Sequence, residues 1–234
     1  MSVPVSDPAP LDRPVRTLYG VDEAYRTFPA EELPPGFSAL WTIVPLIANL
    51  VEEVRSRRII EVGSWEGASA ILMAMVAQET GVACEEIICV DTWLGSPELL
   101  LGRDETTPWL PGRNVPNLRL VHGYPTIHAT FVANVIGFGF QDLITPLPLP
   151  SNQASVVLRR LGVTADLIYI DGAHDEDSVR RDIEGFWPLL EPGGVLFGDD
   201  YNWPSVRRAV GSFVREKNLV VEAVQWKFIL RKAK

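Results

Sequence analysis

The residues best able to do chemistry in this chain stand at the ends of short apolar runs. The first group is the loop Glu61-Val62-Gly63-Ser64-Trp65-Glu66-Gly67, which continues Arg58-Ile59-Ile60. It lacks the three-glycine GxGxxG spacing of dinucleotide sites and the lysine of a phosphate-binding loop, so a ligand without phosphate suits it better. Gly63 lets the backbone come close to a ligand, the backbone at Gly63 and Ser64 can bond an amino-acid moiety, and Glu61 offers a carboxylate to a cationic group. Asp91, closing Ile87-Ile88-Cys89-Val90, is placed to accept two hydrogen bonds from vicinal ribose hydroxyls. A glycine loop alone is a weak signal. With Asp91 at the end of the next run it describes a nucleoside site.

Two further runs end in acids. Leu167-Ile168-Tyr169-Ile170 ends in Asp171, with His174 three residues on, and Gly194-Val195-Leu196-Phe197-Gly198 ends in Asp199-Asp200. An unperturbed imidazole titrates near ~6.5 and accepts a proton at neutral pH, which makes His174 the leading candidate for a general base and Asp171 the alternative. The bland reading of each acid is a helix cap or a loop residue facing water. Repetition at several strand ends argues instead for one shared cleft. His122 and His128, on or beside a predicted helix from about Pro125 to Ile136, read as structural.

These run ends need a frame that gathers them. Apolar runs at 58–62, 87–91, 143–147, 167–171 and 194–199, separated by helical patterns, predict an α/β fold with a parallel sheet covered on both faces. Such sheets bind ligands at the carboxyl ends of their strands. Leu40, Ile43, Val44, Ile47, Leu50, Val51 and Val54 recur at spacings of three and four and predict an amphipathic helix, and residues 69–78 predict another. Residues 219–224 and 226–231 predict an antiparallel hairpin at the sheet edge. Residues 1–36, rich in proline, show no periodicity and read as an irregular arm. The arm is either a loose tail or a segment folded over a pocket or a neighbouring subunit through Leu18, Tyr19, Tyr25 and Phe28. Residues 37–234 read as one domain. Its stretch from Thr92 to Gly123 is far longer than the usual connection of about 2 to 6 residues and reads as a lid-like insertion near 92–123.

In residues 59–69, in Val90-Asp91-Thr92-Trp93, in Leu167 through His174 and in Pro192 through Tyr201, the chain resembles the class I S-adenosylmethionine-dependent methyltransferases. The likeness is strongest to the bacterial small-molecule O-methyltransferases that include macrolide-sugar methyltransferases and cephalosporin-biosynthesis proteins. The resemblance implies a Rossmann-like, seven-stranded, mostly parallel sheet with helices on both faces and the last strand antiparallel. It implies S-adenosyl-L-methionine as cofactor, with Gly63 and Ser64 facing the methionine part, Asp91 the ribose, and Trp93 or the region near Ser151 the adenine. Glu61, Trp65, Gly67, Ser69 and Asp171 complete the implied cofactor set. It also assigns a divalent cation to Asp171, Asp199 and Asp200. Electrostatics agrees, because three converging carboxylates repel unless protonated or bridged, and an all-oxygen site with open water positions suits Mg2+ better than zinc.

The implied reaction is O-methylation of a small hydroxylated molecule, such as a sugar of a secondary metabolite or a vicinal diol. Two other functions stay open: an accessory protein that binds S-adenosylmethionine without transferring its methyl group, and a nicotinamide-dependent oxidoreductase, which the missing GxGxxG disfavours.

Composition narrows the partners. With 21 Lys and Arg against 30 Asp and Glu, the net charge of −9 gives no general attraction to nucleic acid or to an anionic membrane surface. The basic residues gathered between 207 and 234 form either a solvated face or a guide for an anionic ligand. Two cysteines without metal-binding spacing imply neither a disulfide framework nor a zinc site and suit a reducing cytoplasm. No secretion signal or membrane span is visible. The arm makes a homo-oligomer an open expectation.

Overall fold

A computed structural model describes residues 11–30, 36, 44–96 and 120–234. In chain order the strands are β1 (Arg58–Val62), β2 (Glu86–Val90), the two-residue β3 (Leu120–Val121) and β4 (Tyr124–Pro125), β5 (Ile144–Leu147), β6 (Ala165–Ile170), β7 (Leu190–Gly198), β8 (Val221–Val224) and β9 (Lys227–Arg231). The helices are α1 (Pro14–Leu18), α2 (Val21–Thr27), α3 (Val44–Val54), α4 (Ala68–Thr80), α5 (Ile127–Gly137), α6 (Ser151–Arg160), α7 (Glu176–Phe186) and α8 (Pro204–Lys217).

Seven strands form one sheet in the order β5-β2-β1-β6-β7-β9-β8, while β3 and β4 pair separately. β5, β2, β1, β6 and β7 run parallel; β9 runs antiparallel to both β7 and β8. The chain winds outward from β1 through β2 to β5, then restarts on the other side with β6 and β7. That reversal opens a crevice beyond the carboxyl ends of β1 and β6, where α/β sheets take their ligands.

Burial on both faces explains the nearly continuous apolar strands. Ile59, Ile87, Leu167, Tyr169, Val195 and Phe197 face α3, α4 and α5, whose Leu50, Met73 and Phe131 complete that core. Ile60, Ile88, Ile168 and Leu196 face α6, α7 and α8, with Leu158, Ile183 and Phe213.

The arm, expected to be irregular, contains two short helices in its described part. It straddles the β5 edge, with Val15 in one core and Val21 and Tyr25 in the other. The Ile144 carbonyl accepts from Arg16 at 3.1 Å and from the Tyr25 hydroxyl at 3.2 Å, so the outer backbone of β5 is capped by side chains. Residues 37–43, where the amphipathic helix was expected to begin, lie outside the described residues, as do 97–119 of the expected insertion.

Candidate active site

β1 and β6 meet at Gly63. Its φ is +87°, and a Cβ there would lie 2.1 Å from the Asp171 carbonyl oxygen and 2.7 Å from the Gly172 Cα. Only glycine fits, and a neighbouring strand requires it whatever ligand approaches. The Asp171 N–H donates to the Val62 carbonyl at 2.8 Å and the Gly63 N–H to the Val90 carbonyl at 2.9 Å, so three strand ends share one backbone network.

The loop after β1 is held by side chains. Asp91 accepts the Trp65 N–H on one carboxylate oxygen at 2.8 Å and the Trp93 N–H on the other at 2.7 Å. The Trp93 indole donates to the Trp65 carbonyl at 2.7 Å. Asn134 of α5 donates to the Glu66 carbonyl at 2.8 Å. Trp65 and Trp93 both sit at positive φ, +48° and +53°, a conformation that bulky residues keep only where surrounding contacts enforce it. Carboxylate oxygens carry two lone pairs each, so Asp91 retains acceptor capacity for hydroxyls of a sugar. Gly67, at φ +84°, leads into α4, where Ser69 donates to the Glu61 carboxylate at 2.5 Å. Glu61 is fully buried, and burial pushes its carboxyl up to about 7 against the opposing hydrogen bond from Ser69.

On the other side of the crevice the acids converge. Asp171, Asp199 and Asp200 each place a carboxylate oxygen within 4.8 Å of the others. A small cavity of about 10 Å³, room for one water-sized occupant, is lined by these three residues, His174 and Phe228. Lys227, the first residue of β9, is 1% exposed and ion-paired with Asp199. Its ammonium also donates to the Tyr169 hydroxyl at 2.9 Å, which donates onward to Asp171 at 2.8 Å. Burial, then the charge of Asp199, raise the Asp171 carboxyl, and Lys227 pulls it back.

His174 Nε2 lies 2.8 Å from Asp200 Oδ2, and its ring stacks on Trp203 with centroids 4.6 Å apart. The Ser205 hydroxyl donates to the His174 carbonyl at 2.6 Å. His174 is therefore fixed at its ring face, its Nε2 edge and its backbone.

The expected residues group at neighbouring strand ends: Gly63, Ser64, Trp65, Gly67 and Asp91 in and beside the loop after β1, and Asp171, His174, Asp199 and Asp200 after β6 and β7, while Glu61, 0% exposed, has its carboxylate bonded to Ser69. Ser151 opens α6 beyond β5, where its hydroxyl supports the buried Asp182, whose carboxyl burial pushes up to about 6. Trp93 is 2% exposed, its ring against His128 at 4.8 Å and Phe131 at 4.9 Å. Lys227, Tyr169 and Asn134 join the site without being marked as site residues by the sequence. A lysine opening the apolar strand Phe228-Ile229-Leu230, and an asparagine between Ala133 and Val135 in an apolar helix, were the available signals. Much of the basic C-terminal charge is engaged: Arg208 pairs with Glu176, Arg231 with Glu53 and Glu222, and Lys217 with Glu216.

This strand order, with a glycine loop after β1 and acids after β2, β6 and β7, defines a class I methyltransferase fold. The Methyltransferase domain family matches residues 60–201, and the chain belongs to that family of S-adenosylmethionine-dependent methyltransferases. Among solved structures it is similar to an O-methyltransferase from Bacillus cereus in complex with SAH, with a TM-score of 0.59 at 16% identity over 98% of this chain and 95% of that one. It is also similar to the O-methyltransferase TomG from Streptomyces achromogenes, involved in tomaymycin synthesis and solved with SAM, with a TM-score of 0.57 at 16% identity over 97% and 92%. The calicheamicin methyltransferase CalS11 gives a TM-score of 0.59 at 17% identity over 94% of each chain. Likeness at such identity establishes the fold. Among the described residues no helix is long and apolar enough to cross a membrane.

Proposed function

We propose that this chain transfers a methyl group from S-adenosyl-L-methionine to a hydroxyl oxygen of a small molecule, with Asp171, Asp199 and Asp200 holding a divalent cation such as Mg2+. The observation that carries the reading is the convergence of those three carboxylates beside His174, across the crevice from the Gly63 loop. The donor set fits a hard cation: all ligand atoms are oxygens, and the cavity between them is the size of a water. Charge would fit too, since a cation bound there would favour all three carboxylates ionised, and with the one ammonium they sum to two negative charges. When bound there, the cation would supply Lewis-acid polarisation of the acceptor oxygen. Two of the similar structures named above are O-methyltransferases, which supports the same choice of acceptor atom.

The protein's own part is positioning and proton transfer. The backbone at Gly63 and Ser64 holds the methionine part and Asp91 the ribose, while the side of the crevice that carries the acids presents the acceptor oxygen in line behind the methyl carbon. Alignment of this kind accounts for up to about 7 to 11 kcal/mol of a barrier. As the new O–C bond forms, the C–S bond breaks and its electrons return to sulfur. His174, held beside Asp200, takes the acceptor's proton. Within this reading residues 37–234 are the methyltransferase domain and the insertion near 92–123 shapes the acceptor side, whereas the described part of the arm 1–36 is bonded at the β5 edge, away from the acids. Mass-spectrometric detection of a methylated product from a panel of hydroxylated acceptors tests the proposal. A panel of sugars, diols and phenols that yields none, with S-adenosyl-L-methionine bound, would favour a non-catalytic binding role.

A further inference from the structure

Among the described residues, Asp91, Trp93 and Asn134 tie the loop from Ser64 to Gly67 from the side, and the last two need not touch a ligand at all. Trp93 is buried, its ring is occupied by His128 and Phe131, and its one polar atom is spent on the Trp65 carbonyl at 2.7 Å. Asn134 is 0% exposed. Its amide orientation is fixed by two-point pairing with Gly36, accepting the Gly36 N–H at 2.6 Å and donating to the Gly36 carbonyl at 2.9 Å. The same Nδ2 donates to the Glu66 carbonyl at 2.8 Å. A four-residue turn closed by the Gly67 N–H to Ser64 carbonyl bond thus has two successive carbonyls anchored from α5 and from the segment after β2.

We infer that Trp93 and Asn134 are positioning residues for the cofactor loop: they hold the backbone that meets the methionine part, and Trp93 is not a platform for adenine. The inference rests on the proposed cofactor reading. A hydrogen bond to a loop carbonyl fixes that loop only if its loss is felt by whatever the loop binds, so the effect must be confined to one end of the ligand. Adenine stacking would be felt at the other end.

The experiment is calorimetric titration of wild type, Trp93→Phe and Asn134→Ala with two ligands. S-adenosylhomocysteine has the amino-acid moiety, and 5′-methylthioadenosine lacks it while keeping ribose and adenine. Trp93→Phe removes the indole donor and keeps an aromatic ring against Phe131, and circular-dichroism melting checks that each variant folds. Trp93→Phe decides for the tryptophan and Asn134→Ala for the asparagine. The expected result is S-adenosylhomocysteine weakened about five- to tenfold, the scale of one neutral hydrogen bond, with 5′-methylthioadenosine changed less than about twofold. Equal loss for both ligands would return Trp93 to the adenine, and loss for neither would show that these ties do not set the loop; each overturns the inference. Wild-type protein that binds neither ligand overturns the methyltransferase reading itself, and this inference with it.

Discussion

Lys227 and Asp199 form an ion pair inside the carboxyl edge of the sheet, where the first residue of β9 meets the residue that follows β7. The antiparallel β7–β9 register, with Gly198 opposite Phe228, brings them together, and the ring of Phe228 presses on Gly198 so closely that a Cβ there would stand 2.3 Å away. Removing one partner of a buried pair leaves the other charge without compensation. Lys227→Met is expected to lower the unfolding free energy by on the order of 3 to 5 kcal/mol. Urea denaturation in the presence of EDTA measures it, and a loss under about 1 kcal/mol would mean that the ammonium stabilises nothing there.

Chelation tests the acidic cluster from the other direction. EDTA, and separately Asp199→Ala and Asp200→Ala, should abolish methyl transfer while S-adenosylhomocysteine binds within about twofold of the untreated protein, because Asp91 and the Gly63 loop lie outside the acidic cluster. Full turnover after chelation would remove the metal from the mechanism and leave the cofactor assignment intact.

His174→Gln should lower kcat by about 10² to 10⁴, the usual range for losing a positioned base. The loss should be greater for an alcohol acceptor than for a phenol, whose hydroxyl parts with its proton more readily. Equal losses for the two acceptors would point to a purely structural role through the Trp203 stack.

Glu61 gives a pH signature. Burial raises its folded value from 4.5 to about 7, so folding favours the protonated carboxyl. That contribution is complete below the unfolded value and is lost as the pH rises through the folded one. Asp171 and Asp182 are shifted in the same direction, so the test is a difference. The unfolding free energy of Glu61→Gln relative to wild type, in metal-free buffer, should rise by on the order of 3 kcal/mol between about pH 4.5 and pH 8. A flat difference would show that Glu61 titrates normally in the folded chain.

The parts legible in the sequence are those governed by local pattern. β1 could be read residue for residue because a strand buried on both faces is a short apolar run with a glycine after it. The acids Asp91, Asp171 and Asp199 are legible for the same reason, each directly following such a run, and Asp200 stands beside the last of them. The β8–β9 hairpin was also legible, but not the placement of β9 between β7 and β8, since the choice of neighbour is made by tertiary packing. Lys227 was hidden with it: a lysine in a hairpin reads as a solvated charge until the sheet order places Asp199 and Tyr169 around it. Helices α1 and α2, of five and seven residues, are too short to display a period and depend on contacts such as those of Arg16 and Tyr25 with Ile144.

The glycine at position 63 has a consequence for how the two substrates are spaced. Under the proposed reading the donor and acceptor halves would be separated by a bare peptide seam, with no rotamer between them to relax or repack. Their separation is therefore set by covalent geometry and sheet register, the stiffest quantities in a protein, and it stays fixed through changes in the helices on either face. Redesigning this chain for a new acceptor is then a matter of reshaping outer walls around an unmoving gauge, whereas a single methyl group added at 63 would wedge the gauge apart.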